Sequence, residues 1–76
     1  MTNSNEENMN IKNNLRKYRI WKNITQEDLA RDLKISVNQL RLIECHNKYP
    51  KYQIRSRLCK YFDVSQDQMF FYSKEE

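Results

Sequence analysis

Three times in this chain an apolar residue is followed by Thr or Ser, two further residues, an Asp or Gln, and a second apolar residue. The copies are Ile24-Thr25-Gln26-Glu27-Asp28-Leu29, Ile35-Ser36-Val37-Asn38-Gln39-Leu40 and Val64-Ser65-Gln66-Asp67-Gln68-Met69. Each specifies the start of a helix. The hydroxyl accepts from an orphan backbone N–H, the acid or amide three residues on reaches back, and the flanking apolar pair fixes the entry angle. Copies two and three carry the Gln that a capping box requires, whereas the first has the shorter Asp and is weaker. The first two starts lie so close that a short helix, a turn of about three residues and a second helix must follow one another.

The remaining periodicity predicts an all-α chain of five helices. From Asn10, the spacing of Ile11, Leu15, Tyr18 and Lys22 gives a first helix that Asn23 can close. A second helix covers Gln26–Leu33, with Leu29, Ala30 and Leu33 on one face. The third follows Ser36, ends near Cys45 and buries Leu40 and Ile43. After a loop over 47–50, Pro50 fits the first turn of a fourth helix. That helix reaches Phe62, with Tyr52, Leu58, Cys59 and Phe62 facing inward. A last short helix follows Ser65 and carries Met69 and Phe70. Few segments alternate at period two, so strands are not expected. The polar, aperiodic residues 1–9 read as a disordered tail, 10–72 as the folded domain and 73–76 as a short polar C-terminal tail.

The chain has no glycine. Its helices must therefore close on Asn23, Lys34, His46 or Asn47, and Asp63. A left-handed backbone strains Asn and Asp least, and Lys34 would be strained most.

Charge narrows the partner. The 76 residues carry 14 bases and 10 acids, but the stretch 11–72 holds 13 bases against 6 acids, a balance of +7. A basic body of this size points to an anionic partner, nucleic acid first, with a merely soluble basic surface as the plain alternative. No apolar run approaches the roughly 18 residues of a membrane span, and no signal-peptide layout opens the chain, so a cytoplasmic setting is expected. Two cysteines make no disulfide framework. Cys59 reads as a small core residue; Cys45 beside His46 lacks further ligands at metal-binding spacing. No Gly-rich phosphate loop, no nucleophile with an evident base and no paired carboxylates occur. Neither an enzyme, a metal site nor a cofactor is expected.

The run Leu15-Arg16-x-x-Arg19, Ile24-Thr25-Gln26-Glu27-x-Leu29-Ala30-x-x-Leu33, Ile35-Ser36, Leu40, Ile43-Glu44, Pro50 and Phe62-x-Val64-Ser65-x-x-x-Met69-Phe70 resembles the phage repressor/Cro-type (XRE) helix-turn-helix family. The match covers about 10–72. It implies a compact five-helix bundle of the lambda-repressor-like type, with the helix-turn-helix at helices two and three and the third helix in the major groove of DNA. It also implies a structural ion pair from Arg19 to Glu44. Departures are the missing glycines near 23, 34, 46 and 63, Arg55 at a commonly apolar core position, and Ile20 and Trp21 where polar residues are usual.

At 100° per residue, Leu40, Ile43 and Glu44 define the inward side of helix three. Asn38 and Leu42 then face out, flanked by Gln39, Arg41 and Cys45, with Val37 at the N-terminal tip. Asn38 suits adenine, as does Gln39 if the capping box does not use it. Arg41 suits guanine or a phosphate, while Val37 and Leu42 suit thymine methyls. A plain solvated face is the alternative for the polar three. The resemblance implies base reading at the positions of Val37, Asn38 and Leu42, and a contact to the DNA backbone at Gln26. Arg16, Lys48 and Lys51 are supporting phosphate contacts, with Arg31 or Tyr52 behind them.

One such domain covers a small site, so a homodimer on a palindromic operator is expected, with half-sites roughly 34 Å apart. Phe71, Tyr72 and Trp21, joined by Ile20, are the self-association candidates; capping a small core is the alternative. The resulting reading is a DNA-binding transcriptional regulator, with repression the outcome the resemblance implies. The competing reading is a protein-interaction module on the same scaffold, antitoxin-like or a co-regulator, with weak or no DNA binding.

Overall fold

Two residues that local periodicity assigns to the first helix, Ile11 and Lys12, instead open a strand. The computed structural model describes residues 11–72. Within them, β1 (Ile11–Asn13) precedes helices α1 (Leu15–Trp21), α2 (Gln26–Leu33), α3 (Val37–His46), α4 (Tyr52–Phe62) and α5 (Gln66–Met69), and β2 (Phe70–Tyr72) follows. The class is all-α with five helices, plus one small antiparallel sheet that joins the two ends of the domain. Ile11 lies opposite Tyr72 and Asn13 opposite Phe70. That pairing spans nearly the whole domain, so no local pattern reports it. The expectations for the tails, 1–9 and 73–76, fall outside the described residues.

Asn13 and Asn14 terminate the strand and launch α1. The Asn13 Oδ1 accepts the Leu15 N–H at 3.0 Å. Asn14 donates its backbone N–H to Met69 O and its Nδ2 to Gln68 O, each at 2.9 Å. Phe70, read as the end of the last helix, begins β2 and remains in the core. Pro50 precedes the cap of α4, which is Lys51, instead of lying in its first turn. Tyr52 does not face inward: it is 62% exposed.

All three helix starts carry hydroxyl caps. Ser36 and Ser65 form reciprocal boxes with Gln39 and Gln68, whereas Thr25 accepts from the Asp28 N–H with no return bond, Asp being a methylene short. Among the described residues the left-handed ones are Asn23, Lys34, Asn47 and Asp63, with φ between 56° and 62°. At three of them the same pair of bonds closes the helix. The left-handed residue bonds back three positions and its successor, Ile24, Ile35 or Val64, bonds back five. Those successors are half-buried against the core. Each repeat therefore ends one helix and starts the next, which fixes the short α1–α2, α2–α3 and α4–α5 connections.

Leu15, Leu29, Leu40, Leu58 and Met69 are fully buried, and Leu33, Ile43, Cys59, Phe62 and Phe70 complete the core with Ala30. Every helix contributes to this one cluster, and α2 packs on both α3 and α4. Among the described residues no helix is long and apolar enough to cross a membrane.

Candidate nucleic-acid interface

The inward side of α3 is set by Leu40, Ile43 and Glu44. The two apolar residues enter the core, and the Glu44 side chain is 1% exposed. Burying a carboxylate needs full compensation. Glu44 has it: Oε2 accepts from Arg19 Nε at 2.7 Å and Oε1 accepts from Gln26 Nε2. Arg19 also donates Nη1 to the Ile24 carbonyl at 2.9 Å. One buried acid thus joins α1, the first turn of α2 and α3, fixing how the second helix of the pair stands on the first.

Asn13 ties the same end of α3 to β1. Its Nδ2 donates to the Ile43 carbonyl at 2.9 Å. That carbonyl lies in the last turn, because the Asn47 N–H bonds one residue further back, to Leu42 O. Sequence reading missed this tie, and the signal lay in the Asn13-Asn14 pair just before Leu15, the first buried residue of the helical spacing, a helix-start signature.

The outward side is left with polar, unpaired side chains. Asn38 and Arg41 are exposed and have no side-chain partner among the described residues. Leu42 is half-buried and stands outside the core cluster; Val37 is half-buried and packs against it. Gln39 is exposed, but its Oε1 accepts the Ser36 N–H at a long 3.4 Å. Bidentate pairing with adenine requires that oxygen, so only the amide Nε2 is free to donate. The sole acid of α3 is Glu44, neutralised inside, so the helix offers duplex DNA no exposed negative charge.

Exposed cations lie beside α3 and on α1. Arg16, Lys48 and Lys51 are exposed without a carboxylate partner among the described residues. A groove of about 360 Å³ beside α3 is lined by Lys34, Lys48, Lys51 and Arg57 and by no acid. Helix α4 opens on this groove with no side-chain cap and no acid in its first turn. Two expected donors are occupied. The Gln26 amide is bonded to Glu44, leaving its backbone N–H at the start of α2, and Arg31 is paired with Asp28 at 3.1 Å.

Away from this face, Trp21 is 70% exposed, with Tyr18 edge-on to it and Lys17 Nζ 5.3 Å from its ring centre. Tyr72 is 68% exposed on β2, and Phe71 beside it is at the edge of exposure. Arg55 does not break the packing of α4. It is half-buried between two tyrosine rings.

Residues 13–74 match the family described as helix-turn-helix domain. Over 66 residues the chain is 35% identical to an uncharacterized HTH-type transcriptional regulator of Methanocaldococcus jannaschii, an alignment covering 87% of this chain and 100% of that relative.

Proposed function

This chain belongs to the helix-turn-helix domain family, and we propose that it is a sequence-specific regulator of transcription that reads double-stranded DNA with α3. The observation that carries this is the division of α3 into two sides. Its one acid is buried and neutralised, while Asn38 and Arg41 stand exposed and unpaired on the opposite side. Asn38 pairs with adenine and Arg41 with guanine or a phosphate, with Val37 and Leu42 against thymine methyls and the Gln39 amide as a further donor. Phosphates are held by Arg16, Lys48 and Lys51 and by the Gln26 backbone N–H at the start of α2. The relative's printed name supports the regulatory role; the sign, repression, rests on the family resemblance.

The operator is palindromic and the protein binds it as a homodimer, with Phe71, Tyr72 and Trp21 as the contact residues. Their exposure supports this assignment. The working compartment is the cytoplasm, where the DNA is. With about six phosphates neutralised per dimer, log affinity falls against log salt with a slope near −5. Sedimentation of the complex with a palindromic site tests the stoichiometry, and one chain per site contradicts it.

One observation favours a second reading. Trp21 and its neighbour Ile20, 54% exposed, form an apolar patch on α1 suited to another protein. Replacing Asn38 and Arg41 together by Ala separates the two. On the DNA reading, binding to a duplex enriched from random sequence is lost while the melting temperature is unchanged; retained binding moves the function to the patch.

A further inference from the structure

The connection between α3 and α4 carries two of the cations that flank the reading face, Lys48 and Lys51, yet its backbone holds itself poorly. The Lys48 N–H bonds to Leu42 O at 3.1 Å, and among the described residues neither the Tyr49 nor the Lys51 N–H makes a backbone bond. The cap of α4 has no side-chain bond either. Among the described residues, the one side-chain hydrogen bond to this stretch comes from Arg55. Arg55 Nη1 donates to the Pro50 carbonyl at 2.7 Å, and its Nε donates to Gln66 Oε1 on α5 at 3.2 Å. The guanidinium carbon lies 4.4 Å from the Tyr49 ring centre and 5.5 Å from that of Tyr52. Tyr49 in turn meets Phe70 of β2 edge-on at 5.5 Å. Loop, first turn of α4, α5 and β2 are thus tied through a single planar cation.

We infer that Arg55 is a positioning residue for DNA binding: by gripping the Pro50 carbonyl between the Tyr49 and Tyr52 rings, it sets the loop so that Lys48 and Lys51 meet the phosphate backbone. The inference rests on the DNA reading above. Two of the five Arg55 donors, Nε and one on Nη1, are engaged inside the protein, and the role assigned to it is to hold the loop, not to contact DNA. Only arginine supplies both a flat face for two rings and divergent donors for two oxygens; lysine has the charge without the plane. Holding the lysines in place in advance removes the ordering entropy that a free loop loses on binding.

Two measurements on Arg55→Met test this, using a fluorescent duplex that the wild-type protein enriches from a random-sequence pool. The first is the salt dependence of binding. Every phosphate that a lysine no longer neutralises lowers the slope by about one, so the variant is expected to fall short of wild type by about two per protomer. At about 0.1 M salt each lost contact weakens binding by close to tenfold, so the variant is expected to bind on the order of a hundredfold more weakly per protomer, with the preferred sequence unchanged. A variant with a lowered melting temperature but the wild-type slope and affinity has a structural residue at 55, and the inference is overturned. The second measurement needs no DNA. Amide exchange at Lys48 and Ile54, the hydrogen-bonded positions on either side of the gripped stretch, is expected to quicken more than the change in global stability accounts for; equal changes overturn the inference. If Arg55→Met does not fold, Arg55→Lys takes its place, and a wild-type slope there is equally fatal. A wild-type protein that enriches no duplex at all refutes the DNA reading instead, while the exchange result still reports on the grip.

Discussion

Arg19 Nε lies 2.7 Å from Glu44 Oε2, a contact between α1 and α3 in which the acid is almost wholly buried and the base nearly so. Removing one partner leaves the other charge buried and unpaired. Glu44→Ala or Arg19→Met is therefore expected to destabilise the fold by about 3–5 kcal/mol. Replacing both with Met is expected to cost less than either single change, because no orphan charge remains. Urea unfolding of the three variants checks the order. A double variant as unstable as the sum of the singles contradicts it.

Lys34 closes α2 with φ 62° and ψ 43°. A left-handed conformation costs a residue with a Cβ roughly 1–2 kcal/mol, part of which glycine returns through its freer unfolded state. Lys34→Gly is expected to raise stability by about 0.5–1 kcal/mol, and Lys34→Val to lower it by at least as much. Asn47→Gly should change it by only a few tenths, since Asn already tolerates that region. The readout is a shift in the urea midpoint with an unchanged m-value.

The starts of α3 and α5 were legible because the chain writes them as side-chain chemistry: hydroxyl, spacer and Gln at Ser36 and Ser65, each preceded by an apolar residue that also seals the helix before it. Lys34 as a closing position was legible for the same reason, although its backbone angle was not. The strand pair was illegible. Ile11 and Tyr72 pair across the whole domain, and three-residue strands carry no periodicity. Arg55 could not be placed either, since its partners Pro50, Gln66 and two rings converge only in three dimensions. At the interface, the outward set of α3 followed from helical geometry, with Leu42 less exposed than the wheel suggested. The occupation of Gln26 by Glu44 is a tertiary contact that a one-dimensional reading does not reach.

The two cysteines are expected to behave oppositely. Cys45 is exposed on α3 and Cys59 is buried on α4. Burial pushes the Cys59 thiol above its ordinary range, with the nearby Arg55 charge opposing. A thiol reagent is expected to modify Cys45 at once and Cys59 only on unfolding, and bound duplex should protect Cys45. Because the folded state holds the Cys59 proton more tightly than the unfolded chain, its contribution to stability is present below the ordinary thiol range and lost as pH rises from that range through the raised folded value. Cys59→Ala should remove that part of the alkaline decline. Equal modification rates at the two sites in the native protein contradict the assignment.

Tyr61 adds a second alkaline component. Burial raises its phenol first, and donation to Asp32 Oδ2 at 2.9 Å together with that carboxylate's charge raises it further. Tyr61→Phe is expected to flatten the stability curve above the ordinary phenol range, at the cost at neutral pH of one exposed hydrogen bond, about 0.5–1 kcal/mol. A pH profile identical to wild type contradicts this.

The central claim is that the outward face of α3 meets the duplex, and backbone amide shifts during titration with the enriched DNA test it most directly. The account predicts the largest changes at Val37, Asn38, Gln39, Arg41 and Leu42, followed by Gln26, Lys48 and Lys51. Changes concentrated at Ile20, Trp21, Phe71 and Tyr72, with α3 silent, would contradict it.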